Sequence, residues 1–340
     1  MFDFRSDNTH GASPEITDAI VRASRGTVTS YGQDELTQRL RVRARELFET
    51  DCEILPVATG TGGNALSVAV LTPPWGGVFC HDDAHIHRDE MGAPEFYSGG
   101  AKTFPIAGAH GKLDPVTLAR TIDGIALEGR TAKVSVVSLT QATEAGTVYS
   151  VDDLRALCDV AHARGCRVHM DGARFANAVV SAGASPADLT WRAGVDILVL
   201  GATKNGALAA ELIVAFDTKV MPELTTRWHR GGQRWSKMRF LSAQLDAYFA
   251  DGLWLRNARH ANAMAGRLAA GVPELLMPVE ANVVFARLAP AVIAALQEGG
   301  FLFYEWPLFG VGAVRFVCGF STTEADVDAL VGAVQAAGGR

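Results

Sequence analysis

Between about residue 36 and residue 220, short apolar runs alternate with longer amphipathic ones, and nothing else in the chain restricts its fold as much. Glu35–Phe48 carries the 3.6-residue periodicity of an amphipathic helix, and Cys52–Val57 reads as a short strand. A helix over Ala65–Leu71, a strand at Gly77–Cys80, a β-branched strand over Lys133–Leu139 and a helix over Val151–Arg164 follow. Next come a strand closing at Val168, a helix over Phe175–Ala182, a strand around Ile197 and the apolar run Ala210–Phe216. Strands separated by helices favour crossover connections over hairpins, so the pattern predicts an α/β fold with a mainly parallel sheet and helices on both faces. In such sheets ligands gather at the carboxyl ends of the strands.

After about residue 250 the pattern changes. A long helix over Leu253–Leu268 precedes strands near Asn282–Arg287 and Val314–Cys318 and helices over Ala289–Gln297 and Glu324–Ala336. We expect a large domain over residues 1–250 and a smaller α+β domain over 251–340, a natural division for 340 residues. A net charge of −6 without a face-sized basic cluster gives nucleic acid no footing. No apolar stretch approaches the roughly 20 residues of a membrane span, and Met1-Phe2-Asp3-Phe4-Arg5 lacks the basic-then-apolar order of a signal peptide. The five cysteines are scattered and never in Cys-x-x-Cys spacing, which fits reduced thiols and a cytoplasmic location.

Several unusual segments fall at strand ends. His169-Met170-Asp171-Gly172-Ala173-Arg174 closes one strand and Gly201-Ala202-Thr203-Lys204-Asn205-Gly206 the strand after it. A carboxylate and an amine so placed suit a pyridoxal phosphate (PLP) enzyme: the lysine condenses with the cofactor aldehyde, and the aspartate keeps the pyridine nitrogen protonated. An aspartate and a lysine ending neighbouring strands are also ordinary in α/β proteins. Thr59-Gly60-Thr61-Gly62-Gly63-Asn64 follows a strand and opens a helix, so its N–H groups can seat a phosphate or simply make a tight turn. His81-Asp82-Asp83-Ala84-His85-Ile86-His87 admits three readings: metal ligands, a histidine packed on a cofactor ring, or a solvated loop. Arg174 lies near Asp171 in sequence, and Arg315 interrupts an apolar strand, where it needs either a bound carboxylate or a structural ion pair.

Taken together, Arg5-Ser6-Asp7-Asn8, Tyr31-Gly32-Gln33-Asp34, Thr59-Gly60-Thr61, Ala84-His85-Ile86, His169–Arg174 and Thr203–Gly206 resemble the threonine aldolase family of fold-type-I PLP enzymes. Gln141-Ala142-Thr143-Glu144 and Ser236–Ala243 look like the bacterial branch of low-specificity L-threonine aldolases and phenylserine aldolase, and Asp251–Arg259 leans toward the latter. The resemblance implies retro-aldol cleavage of β-hydroxy-α-amino acids (L-threonine, L-allo-threonine, phenylserine) to glycine and an aldehyde. It assigns Lys204 to the cofactor aldehyde, Asp171 to the pyridine nitrogen and His85 to ring stacking and proton movement. Gly60 and Thr61, assisted by Thr203, would hold the phosphate; Ser6, Arg174 and Arg315 would grip the substrate carboxylate. Arg239 would reach the phosphate and Tyr31 would line the site from a neighbouring subunit of a homotetramer built from dimers.

One departure stands out. Relatives commonly carry a second active-site histidine ten residues before the position of Thr140, where this chain has Arg130, and no histidine lies between His110 and His162. The chain's β-carbon stereopreference and aldehyde are therefore open. The competing readings are a β-elimination lyase or racemase on the same scaffold, and a metal-dependent hydrolase built on His81, Asp83, His85 and His87.

Overall fold

The computed structural model describes residues 2–338. Its strands are β1 (Phe2–Asp3), β2 (Glu53–Val57), β3 (Gly76–His81), β4 (Lys102–Ile106), β5 (Lys133–Thr140), β6 (Arg167–Gly172), β7 (Ile197–Gly201), β8 (Glu211–Ala215), β9 (Val283–Arg287), β10 (Phe301–Leu302), β11 (Tyr304–Glu305) and β12 (Ala313–Val317). Seven of them form one sheet in the order β2-β8-β7-β6-β5-β3-β4. The run β7-β6-β5-β3-β4 is parallel, and β8 runs antiparallel to both of its neighbours. The expected mainly parallel sheet is thus present. Its interior strands β3, β7 and β8 are buried end to end, and β5 and β6 are buried past their first residues, as a sheet covered on both faces requires.

Sequence periodicity placed the helices Glu35–Phe48 and Phe175–Ala182 at their observed bounds. It missed β4, whose Pro105 argues against a strand. β4 pairs only with β3, so it is an edge strand, where a missing N–H costs no ladder bond. The helices Pro14–Ala23, Pro115–Glu128, Met221–Arg230 and Arg239–Phe249 were not anticipated either.

Two hydrophobic cores organise the chain. The first lies around the large sheet; the second joins Val284, Ala286, Val314 and Phe316 of the small antiparallel sheet β11-β12-β9 to Leu296, Leu330 and Val334 of its helices. The helix Leu253–Ala269 serves both, giving Leu253, Trp254 and Ala258 to the first core and Met264, Ala265 and Leu268 to the second. The change of core therefore falls inside this helix, past the expected boundary at 250. The N-terminus also crosses over: β1 pairs with β10, and Phe4 is buried in the second core. The chain then leaves the second core at Arg5 and enters the cleft between the two. Among the described residues no helix is long and apolar enough to cross a membrane, and all five cysteines are buried and unpaired.

Candidate active site

The carboxyl ends of β2, β3, β5, β6 and β7 open on one edge of the large sheet, and each is followed by a segment singled out in the sequence. They line a cavity of about 230 Å³ floored by Thr59, Gly60, Thr61, Asn64, His85, Asp171, Thr203, Lys204 and Glu211. A wider mouth of about 420 Å³ continues toward the second core, past Ser6, Glu144, Arg174, Trp306 and Arg315. His85, Lys204 and Asn8 border both parts.

Lys204 sits in a one-turn 3₁₀ segment, Thr203–Asn205, directly after β7. Glu211 Oε2 accepts from the Ala202 N–H at 2.8 Å, and Asn205 Nδ2 donates to Tyr248 Oη and to the Trp254 carbonyl, both at 2.8 Å. Asn257 Nδ2 donates to the Asn205 carbonyl at 2.9 Å, so the Asp251–Arg259 stretch supports the lysine turn. Gly206 has φ 111°, and a Cβ there would lie 2.3 Å from Ser13 Oγ, so only glycine closes the turn. Among the described residues the Lys204 amine has no hydrogen bond or ion pair, while its backbone is fixed on all sides. Burial pushes the Glu211 carboxyl up to about 7, against the opposing pull of Thr203, the Ala202 N–H and the Lys204 charge.

Asp171 ends β6 with its carboxylate almost fully buried. Oδ1 accepts the Ala173 N–H at 3.0 Å and Oδ2 accepts Asn64 Nδ2 at 3.0 Å. Asn64 is the fifth residue of the helix Gly60–Leu71, capped by Thr59, whose Oγ1 accepts the Gly62 N–H at 3.0 Å. That cap leaves the N–H groups of Gly60 and Thr61 facing the cavity at the positive end of the helix dipole. Gly63 lets the helix press on β7, since a Cβ there would lie 2.7 Å from Val199 Cγ1. A free amine, a buried carboxylate and an anion seat around one cavity fit pyridoxal phosphate: Lys204 for its aldehyde, Asp171 for its ring nitrogen, Gly60 and Thr61 for its phosphate.

The two arginines differ. Arg174 is buried, and Asp7 takes it in a two-pronged contact, from Nε at 2.7 Å and from Nη2 at 3.0 Å. Burial works against the Asp7 carboxylate, yet Arg174 and Lys204 outweigh it and hold its pKa at about 2. Only the Nη1 side of Arg174 remains, 3.9 Å from Glu144. The resemblance assigned Arg174 to the substrate carboxylate; in the structure most of its donors already serve Asp7. Arg315 has no such partner. Its guanidinium lies 4.7 Å from the Trp306 ring centre and 5.5 Å from that of Tyr304, Nη2 reaches the Arg5 carbonyl at 3.3 Å, and the buried Nε has no hydrogen-bond partner.

Ser6, Gly60, Thr61, His85, Asp171, Arg174, Thr203, Lys204 and Arg315 therefore meet in one pocket. The Thr203 hydroxyl accepts the Ala210 N–H at 3.2 Å. Tyr31 and Arg239 lie elsewhere in this chain: the Tyr31 N–H donates to the Ser236 carbonyl at 2.9 Å and Arg239 Nη1 to the Gly26 carbonyl at 3.2 Å. Arg130 sits before the first residue of β5, at the opposite end of the sheet from Lys204. The metal reading of the histidine cluster loses its first ligand. His81 Nδ1 accepts the Asp83 N–H at 3.0 Å and Nε2 donates to the Gly108 carbonyl at 3.1 Å, while His87 is exposed. Sequence reasoning missed Asp7, Asn64, Glu90 and Glu211 as members of the site. Asp7 and Asn64 act through partners more than a hundred residues away, and the shorter links of Glu90 to His85 and Glu211 to the Ala202 N–H follow no recognisable motif spacing.

The sequence profile described as beta-eliminating lyase matches residues 3–290. A low specificity L-threonine aldolase of Pseudomonas sp. is 41% identical over 98% of this chain and 97% of its own length. The chain belongs to the beta-eliminating lyase family, among its threonine aldolases. A low specificity L-threonine aldolase of Pseudomonas aeruginosa is 43% identical over 94% of this chain and 93% of its own length. The Leishmania major threonine aldolase structure superposes with a TM-score of 0.92 at 25% identity, covering 99% of both chains.

Proposed function

We propose that this protein is a PLP-dependent aldehyde-lyase that splits L-threonine-like β-hydroxy-α-amino acids, phenylserine among them, into glycine and an aldehyde. The observation that carries the reading is the free Lys204 amine standing between buried Asp171 and the unpaired guanidinium of Arg315. Pyridoxal phosphate, when bound, supplies an aldehyde for an amine and a ring that withdraws electrons from the substrate Cα. Arg315 binds the substrate carboxylate with its free donors, seconded by Arg174 Nη1 and Ser6, and so fixes which bond at Cα is presented for cleavage. His85 Nε2 faces the pocket as the base for the β-hydroxyl proton, whose removal lets the Cα–Cβ electron pair stay on Cα as the aldehyde departs. Lys204 would hold the cofactor through its aldehyde and would be the group that returns a proton to Cα to complete glycine. Asp171, held by Asn64 and the Ala173 N–H, would face the ring nitrogen and balance its charge.

Tyr31 and Arg234 share one face outside the chain's own pocket, with the Arg234 guanidinium 5.3 Å from the Tyr31 ring centre, and Arg239 follows shortly after Ser236, whose carbonyl accepts the Tyr31 N–H. This face is the part we propose is lent to a second copy's phosphate seat, in a homotetramer of shared sites. Mass measurement in solution tests it: a stable monomer at full activity would remove Tyr31 and Arg239 from the site.

Incubation with PLP and L-threonine, L-allo-threonine or either phenylserine diastereomer should give glycine with acetaldehyde or benzaldehyde in equal amounts. Pyruvate with ammonia, or an inverted enantiomer, would replace the aldolase reading with elimination or racemisation.

A further inference from the structure

The turn after β3 holds a carboxylate that the reaction as described leaves unused. Glu90 follows the short helix His85–Arg88, and its side chain is wholly inaccessible to solvent. A single oxygen, Oε1, accepts from His85 Nδ1 at 2.9 Å and from Asn64 Nδ2 at 2.8 Å. The same Asn64 nitrogen donates to Asp171 Oδ2 at 3.0 Å. The chain His85–Glu90–Asn64–Asp171 thus joins the proposed base to the carboxylate at the other end of the cofactor space. A protonated Glu90 would carry its hydrogen on Oε2, which is buried and has no partner. An ionised Glu90 avoids an unsatisfied buried O–H and leaves His85 Nδ1 only the role of donor.

We propose that Glu90 is a positioning residue: it holds His85 as the Nδ1–H tautomer, with Nε2 free toward the pocket as proton acceptor, and ties that imidazole through Asn64 to Asp171. The inference rests on the aldolase reading for the use made of Nε2, but not for the tautomer. A ring nitrogen can accept a proton only when its hydrogen sits on the other nitrogen, and the partner of that other nitrogen decides the matter. The charges facing His85 are Glu90, Asp83, Arg88 and Asp89 from its own segment, Glu144 from the loop after β5, Asp171 from β6 and Lys204 from the turn after β7. The hydrogen bond that His85 donates to Glu90 raises the imidazole pKa, desolvation lowers it, and the charges of Asp171 and Glu144 raise it further. Burial pushes the Glu90 carboxyl up as well, with His85 and Asn64 opposing.

Nitrogen NMR of His85, assigned with a His85→Gln variant, reads the tautomer directly in the enzyme reconstituted with PLP and in the protein stripped of it. The Nδ1–H form is expected in both; the Nε2–H form in either overturns the proposal without any variant. Glu90→Gln keeps the shape and removes the charge. It should mix the tautomers, lower the His85 pKa and reduce kcat by about 10- to 100-fold, part of the roughly 10²–10⁴-fold a positioned base supplies. The acid limb of kcat/KM should move to lower pH, and Glu90→Asp, with the charge back but a shorter reach, should move it partly back. An unchanged His85 titration in Glu90→Gln, or a rate loss equal at every pH, assigns Glu90 a packing role only. If the products proved to be those of elimination, the tautomer measurement would stand unaltered, so failure of this proposal and failure of the aldolase reading remain distinguishable.

Discussion

The wall of the pocket built by β6, the helix Gly60–Leu71 and the His85 turn is held by hydrogen bonds to carboxylates, whereas the wall built by β12 and residues 304–309 is held by aromatic faces. On the first wall Asn64 donates to both Asp171 and Glu90, and beside it Asp7 occupies two donors of Arg174. On the second, Arg315 rests on Trp306 and Tyr304, which stabilise a cation without consuming an N–H. Hydrogen bonds fix groups that must keep one place and one protonation state. Aromatic contacts fix a group whose donors must stay available for a ligand. Burial accordingly lowers the Arg315 pKa, and neighbouring Arg174 adds to this, whereas Asp7 and Glu144 more than repay burial at Arg174.

The largest effect should come from the hydrogen-bonded wall. Asp171→Asn keeps the shape and the bond from Asn64 but removes the charge that holds a pyridine nitrogen protonated. We expect kcat to fall by orders of magnitude while PLP still binds; near-normal turnover measured under PLP saturation would sink the role given to Asp171.

The Asp7–Arg174 pair offers the next test, in stability. Asp7→Asn leaves a buried guanidinium uncompensated, and the cost should be about 3 kcal/mol in a denaturant titration. Asp7 has its pKa depressed to about 2 from 3.8, so its contribution is complete above pH 4 and is lost as pH falls toward 2. The wild type should therefore lose stability over that acid interval more steeply than the variant. Equal slopes would mean that the pair is not formed in solution.

How much of this was readable beforehand divides along the same line. The sheet's strand ends, Lys204, Asp171, His85 and both arginines were visible, because strand periodicity and residue chemistry are local properties. The partners were not. Asn64 stood inside the glycine-rich segment already noted, yet nothing in Thr59–Asn64 says that its amide spans two carboxylates from β6 and the β3 turn. Asp7 stood beside Ser6 in a matching segment, and only the crossing of β1 to the second core shows it reaching across to Arg174. The aromatic shelf was equally hidden: Trp306 lies nine residues before Arg315, and the antiparallel pairing of Tyr304 with Arg315 is what brings the shelf under the guanidinium.

Arg315→Ala tests what the second wall is for. If its free donors anchor the substrate carboxylate, KM should rise by about 100-fold, the worth of a charged, two-pronged contact. The melting temperature should hardly move, because Arg315 has no ion-pair partner to strand. Arg174→Ala should add a clear loss of stability from the orphaned Asp7. A stability loss in Arg315→Ala as large as that of Arg174→Ala would erase the distinction between the two walls.

The smallest effect concerns the shelf itself. Trp306→Leu keeps an apolar surface but removes the π face 4.7 Å from the guanidinium centre. A desolvated contact of this kind contributes about 1–2 kcal/mol, so KM should rise by about tenfold with kcat nearly unchanged, since Trp306 orients Arg315 and does not reach the reacting bond. Trp306→Phe retains a ring and should recover most of the loss, whereas a purely steric role would leave Phe and Leu alike. The split between KM and kcat is the decisive reading: a variant that lost kcat instead would place Trp306 on the bond-breaking side of the pocket, and the aromatic wall would then share the chemistry with His85 rather than merely present Arg315 to the carboxylate.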